Sequence, residues 1–253
     1  MYRLFVLLFL LGWMTEDASA QSALGDLYDE PTVIYRKQVH GGGILHTNGL
    51  GAYIYAGRFR GVKKVLLFGG EVLTMRHDKE IRSFNPVYED GRSYVFGKVN
   101  NFFVVRPSFG VKKVITEKVR TSGVSVGYTW HAGPSLGITK PIYLEIGYPR
   151  IPYEYLAVER YDPTEHTYES IYGRASGLNG LNELSIHPGA FFKFAFNFEY
   201  SNEKDRLKGL DVGFAVDAYA RQIPIMAENI IERNKQVFLT FYVNFFFGSK
   251  FNE

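Results

Sequence analysis

The chain has no cysteine, which excludes disulfides, thiolate metal sites and a lipid-modified N-terminal Cys. Any attachment to a membrane must therefore come from the fold. Long apolar runs are missing as well: no window reaches the roughly 18 to 20 apolar residues that a spanning helix needs. Charge of one sign is equally scarce. The 29 Lys and Arg are nearly balanced by 26 Asp and Glu, and the two signs are interspersed, so no basic stripe points to nucleic acid. The six histidines, His40, His46, His77, His131, His166 and His187, form no H-x-x-x-H or H-E-x-x-H pair, and neither a metal nor a cofactor is expected. Gly49-x-Gly51 lacks the third glycine and the helix of a dinucleotide loop.

What the chain does have is alternation. From Ala190 to Ser201, Ala190, Phe192, Phe194, Phe196, Phe198 and Tyr200 fall on one face, and Phe191, Lys193, Ala195, Asn197, Glu199 and Ser201 on the other. Only a pleated strand separates residues this way. The same period recurs over Val39 to Thr47, Gly51 to Phe59, Val65 to Met75, Asn100 to Val111, Gly123 to Pro134, Leu210 to Arg221 and Val237 to Phe247. Eight such strands, with Asn48-Gly49 as a tight first hairpin turn, predict an all-β fold, an antiparallel up-and-down transmembrane β-barrel. The even count brings both termini to one end.

Connections two, four and six are short and charged. Connections three and five, His77 to Tyr94 and Lys140 to Ser185, are long and irregular, matching short periplasmic turns and longer extracellular loops. The beginning of the chain follows a secretory design: Arg3, the apolar run Leu4 to Met14, then Ala18-Ser19-Ala20 ahead of Gln21. The expected divisions are residues 1–20 as signal peptide, 21–38 as a periplasmic lead-in and 39–253 as the barrel.

Alternation alone leaves open which face looks inward. The polar rows are rich in Gly, Ala, Ser, Thr and Asn, which suit a narrow lumen better than a solvated surface. Trp130, Tyr128 and Tyr200 stand in the apolar rows where an interfacial aromatic belt would lie. The apolar face is therefore assigned to outer-membrane lipid or lipopolysaccharide, and the polar face to the interior. The expected lumen set is Glu71, Arg106, His131, Lys193, Glu199, Asp211, Asp217 and Arg221. Charges in so narrow a space must pair, because an isolated buried ion is costly.

The signal peptide, the Gly-rich first hairpin, the segment Ile223-Pro224-Ile225-Met226-Ala227 and the terminal strand from Phe241 to Phe251 together resemble small outer-membrane barrels of Bacteroidota, the PorT-like group. Some members of that group serve the type IX secretion apparatus, so the resemblance implies a structural or accessory part in envelope secretion or assembly, with an envelope protein as partner. Tyr153, Tyr155, Arg160, Tyr161, Tyr168, Tyr172 and Arg174 in the longer loop are the expected partner-binding residues, since Tyr and Arg are favoured at interfaces. Lipid A deacylases and acyltransferases are also small outer-membrane barrels, and the deacylases carry a His-x-Ser pair on one strand. Here His131 with Ser135 and Ser185 with His187 have another order or spacing, so a lipid-modifying hydrolase is the runner-up and a small-solute channel or receptor the third reading. Sequencing the N-terminus of the exported chain is expected to begin at Gln21; a start at Met1 would overturn the secretory assignment.

Overall fold

Eight alternating segments pair edge to edge and close on themselves in a computed structural model, which describes residues 35–116, 123–149, 151–201, 203, 205–231 and 233–252. The expected signal peptide, most of the lead-in and part of the fourth connection lie outside these residues. In chain order the strands are β1 (Lys37–His46), β2 (Gly49–Phe59), β3 (Lys64–Met75), β4 (Arg82–Ser83), β5 (Tyr94–Val95), β6 (Asn100–Thr116), β7 (Ser125–Pro141), β8 (Tyr143–Tyr148), β9 (Tyr155–Arg160), β10 (Ile171–Arg174), β11 (Ser185–Glu199), β12 (Arg206–Tyr219) and β13 (Val237–Phe251). The barrel runs β1-β2-β3-β6-β7-β11-β12-β13 and closes from β13 to β1, every pair antiparallel.

The register fixes the tilt. Walking across the strands from Lys37 leads through Arg58, Leu66, Val111, Trp130, Phe194, Phe214 and Phe241, and Phe241 meets Thr47 through a backbone hydrogen bond of 3.0 Å. The walk returns to its first strand ten residues further on, 47 − 37. Eight strands with that stagger lean about 40° from the barrel axis. The outward apolar row of β13, Val237 to Phe247, then stands roughly 25 Å tall, the height of a hydrocarbon belt.

Outward positions toward the middle of the barrel strands are mostly apolar and at least partly exposed, among them Ile54, Phe68, Val72, Phe192, Phe196, Leu239, Phe241 and Phe247. Inward positions are buried. Sequence patterning places the ends of several strands differently. The first strand begins at Lys37, inside the expected lead-in, because buried Gln38 continues its inward row. The strand that the pattern ends at Pro134 runs on to Pro141, and the last one continues past Phe247 to Phe251.

The loop from Lys140 to Ser185 is not irregular. It builds a three-stranded antiparallel sheet in the order β10-β8-β9, and β4 and β5 pair inside the other long loop. Tyr94, Leu144, Ile146, Tyr161 and Ile171 form the core of this cap, with Phe96, Val99, Ile142 and Tyr148 packed on it. Burial holds the Lys98 ammonium below its ordinary range, although Glu80 at 2.6 Å pulls the other way.

The last long connection is folded inward. Ile223, Ile225, Met226 and Ile231 are buried against Phe102, Tyr219 and Phe238 at the mouth of the barrel. Asn234 clasps this segment: its Oδ1 accepts from the Ile225 and Met226 amides at 3.2 and 3.1 Å, and its Nδ2 donates to Met226 O at 2.9 Å. Asn234→Ala removes those bonds and leaves the buried Met226 amide short of a partner, a cost of about 1–3 kcal/mol, while the Ile225 amide keeps Ile223 O at 2.8 Å. Amide exchange at Met226 and Ala227 is expected to accelerate in that variant while the barrel ladder stays protected.

Candidate functional site

Inside the barrel the side chains form a charged core. Glu71 on β3 and Arg106 on β6 are direct cross-strand partners, so the pleat aims both at the axis. Glu71, Arg106 and Asp217 are 1 %, 3 % and 0 % exposed. Arg106 Nη1 donates to Glu71 Oε2 at 3.1 Å and its Nε donates to Asp217 Oδ1 at 2.8 Å, while Nη2 donates to Asp217 Oδ2. This forked, two-bond contact is one that a guanidinium makes and an ammonium does not. The remaining lone pairs are also used. Lys193 Nζ donates to Glu71 Oε1 at 2.5 Å, the Tyr55 hydroxyl donates to the same oxygen, and Ser135 Oγ donates to Asp217 Oδ1 at 3.0 Å.

Aromatic rings fill the space between these ions. Lys193 Nζ lies 4.3 Å from the Tyr242 ring centre and Arg106 5.2 Å from Phe191, contacts that stabilise a cation where water is scarce. His131 stacks on Tyr55 at 4.4 Å between ring centroids. Its ring occupies the place a side chain at position 110 would take: a Cβ on Gly110 would stand 2.3 Å from His131 Nδ1.

A second cluster lies nearer the end at which β1 begins and β13 finishes. Glu199 accepts from Lys112 at 3.1 Å and from Lys250 at 2.7 Å. Between the two clusters, Asn197, Asp211 and Asn244 form one register row on β11, β12 and β13, and Asn197 Nδ2 donates to Asp211 Oδ1 at 2.5 Å. Among the described residues, four carboxylates, Glu71, Glu199, Asp211 and Asp217, thus share the interior with four cations, Arg106, Lys112, Lys193 and Lys250, and their formal charges sum to zero. Ile44, His46, Leu73, Thr240 and Tyr242, with Glu71, Arg106 and Lys193, line a void of only about 10 Å³. Such a space admits at most about one water.

Of the residues expected in the lumen, Glu71, Arg106, His131, Lys193, Glu199, Asp211 and Asp217 lie there. Arg221 does not. The strand that should carry it ends at Tyr219, and Arg221 is exposed at the start of the inward-folded segment. Lys112 and Lys250 were assigned no place in the lumen, yet each continues its strand's inward alternation, Gly110 to Lys112 and Gly248 to Lys250. The serines near histidine are accounted for as well. Ser135 is fully buried and bonds Asp217 and Tyr219, and Ser108 Oγ is 3.5 Å from His131 Nδ1 within the filled interior.

The expected partner-binding residues divide. Tyr155, Arg160, Tyr168 and Arg174 are exposed on the cap. Tyr153 and Tyr172 are half-buried; the Tyr153 hydroxyl donates to Glu169 O at 2.5 Å and accepts from Asn85 at 3.0 Å. Tyr161 is 3 % exposed, and its hydroxyl accepts from the Gly97 amide at 3.2 Å. It is a core residue of the cap and offers nothing to a partner.

An apolar exterior around a filled, charge-paired interior defines the chain as a small β-barrel of the outer-membrane type. No protein-family model and no curated protein sequence matches it. Among solved structures it is similar to Neisserial surface protein A, at 11% identity and a TM-score of 0.42, with 86% of this chain and 97% of that chain covered.

Removing one partner of a buried pair leaves an uncompensated ion, a cost of about 3–5 kcal/mol. Arg106→Met and Asp217→Leu are each expected to fall in stability by that order in urea titrations of the folded barrel. The double variant should recover most of the loss, because Glu71 keeps Lys193 and no ion is stranded.

Proposed function

We propose that the protein is a non-enzymatic integral outer-membrane barrel that serves as a structural or accessory component of an envelope secretion or assembly machine, holding a partner at its extracellular cap. The filled lumen carries this reading. An interior packed with neutralised ion pairs, and closed at its mouth by residues 223–231, leaves transport little room. The free surface is then on the cap.

That surface has a usable form. Among the described residues β9 pairs with β8 alone, so its other side is an open sheet edge that an extended segment can join by backbone hydrogen bonds. Tyr155, Leu156 and Val158 are exposed along it, with Arg160 beside them. The likeness of the sequence to PorT-like barrels of Bacteroidota supports a partner within the secretion apparatus. Export by the N-terminal segment and placement in the outer membrane, against lipid or lipopolysaccharide, belong to the same proposal.

Two measurements test it. In planar bilayers the protein is expected to remain electrically silent, and resolved single-channel steps would overturn the closed lumen. In a mild-detergent pull-down from its own envelope, a specific chain should co-purify and be lost when Leu156→Ser and Val158→Lys are combined, with barrel folding unchanged. Capture of no chain, or undiminished capture by the double variant, would remove the edge-strand role.

A further inference from the structure

Between the cap and the barrel lies a short segment with no share in either core. Leu178, Leu181 and Leu184 recur at every third position and are 75 %, 49 % and 47 % exposed. Two separate turns carry the first two of them. The Asn179 amide donates to Ser176 O, and the Glu183 amide to Gly180 O, each at 3.2 Å, and Leu181–Glu183 form a turn of 3-10 helix, parted from the first turn by Gly180 at φ +78. Leu184 is extended and leads into β11, where the period of two puts it on the face of Ile186, itself 69 % exposed.

That face is the lipid-facing one. Ile186 pairs with Ile138 of β7, and Ile138 with Phe103 of β6, so Leu184 continues the apolar row of β11 upward, and Leu181 and Leu178 are exposed in the turns just before it. The tilt gives their height. The row Ala190, Ala218, Val237 climbs about 3 Å per strand at a lean of ~40°, and Ile186 stands four residues beyond Ala190. Ile186 therefore lies within about 5 Å of the level of Val237, the top of the belt. Leu184, two residues further, stands about 5 Å higher again, at the outer limit of the headgroup zone that adds roughly 5–8 Å to each side of the hydrocarbon core.

The segment is also anchored. Lys140 Nζ donates to Gly177 O, the Tyr143 hydroxyl donates to Glu183 Oε1 at 2.5 Å, and Arg160 Nη1 reaches Glu183 Oε2 at 3.2 Å. Gly180 takes φ +78, and a Cβ there would press on Tyr143 and Pro141 at 3.0–3.2 Å. Its polar groups are thus held toward the protein, and its leucines are left outside.

We infer that Leu178, Leu181 and Leu184 form a foot by which the cap inserts into the lipid surface at the outer edge of the bilayer. The inference rests on the membrane reading of the barrel. The foot would fix the height and orientation of the cap above the membrane and so the direction in which the β9 edge faces.

The absence of cysteine makes the test direct. Single variants Leu178→Cys, Leu181→Cys and Leu184→Cys of the full chain are spin-labelled and reconstituted in dioleoylphosphatidylcholine vesicles, with Phe241→Cys as the belt reference and Val158→Cys as the cap reference. Collision with oxygen, which concentrates in lipid, is compared with collision with a water-soluble nickel chelate. The three leucine labels are expected to favour oxygen severalfold over the Val158 label and to read shallower than the Phe241 label. If they match Val158 while Phe241 reads as lipid-immersed, the foot is overturned and the barrel reading stands. An aqueous Phe241 label overturns both. Labels shielded from both reagents would mean that protein covers the leucines, a second copy included, and would also overturn the foot.

Discussion

The Arg106 guanidinium, held between Glu71 and Asp217, is the interaction on which the remaining structure depends. A closed sheet of eight strands leaves an interior just wide enough for side chains, and here those side chains mix apolar groups such as Leu73, Val104 and Phe246 with charged ones. An ion placed there has lost water on all sides, and its desolvation is recovered only where counter-ions and hydrogen bonds meet every one of its polar atoms. Arg106 satisfies that requirement from two directions at once: across the ladder to Glu71, and across the lumen to Asp217. Its neighbours follow from it. Lys193 and Tyr55 satisfy Glu71, Ser135 satisfies Asp217, and Tyr219 satisfies Ser135.

The same constraint explains which parts of the molecule were legible from sequence. A strand with lipid on one side and a narrow lumen on the other cannot shift by a single residue without exchanging its faces. Alternation from Phe191 to Ser201 therefore fixes which residues share a face, and once the ring-lined face is given to lipid, Lys193, Asn197 and Glu199 can be placed before any coordinates. Strand ends carry less. Lys112 and Lys250 were lost by stopping at the last bulky outward residue, although a charge in phase with the inward row still belongs to the lumen. Arg221 was gained by the opposite error, since the turn toward Ile223-Pro224-Ile225 begins before it.

The cap was hidden for a different reason. Tyr148-Pro149, Ile151-Pro152 and Asp162-Pro163 suggest a segment that resists pairing, but the prolines flank the strands and do not interrupt them. β8 stops at Tyr148, and β9 lies between Tyr155 and Arg160. Proline there ends strands and leaves the sheet between them intact. The inward fold of residues 223–231 has no local signature at all. Its isoleucines follow neither helical nor strand period, and their burial depends on Asn234 and on the rings of Phe102, Tyr219 and Phe238.

These features combine into a division of labour along the barrel axis. The lumen contributes rigidity: neutral in sum and densely bonded, it gives the strands a fixed cross-section. At the mouth the buried segment is bonded to the cap, with the Val99 and Asn100 amides donating to Ile225 O at 3.0 and 3.2 Å and the Ala227 amide donating to Gly97 O at 2.8 Å. The cap sheet is therefore fastened to the lumen plug as well as to the strands that lead into it. A free edge such as β9 invites unwanted pairing when it is mobile, but an edge held in a set position on a rigid base can select one incoming strand by register and side-chain fit. On the proposed role, selectivity at the cap would draw on the rigidity of the lumen, because the ion pairs that close the interior also hold the platform on which the edge is displayed.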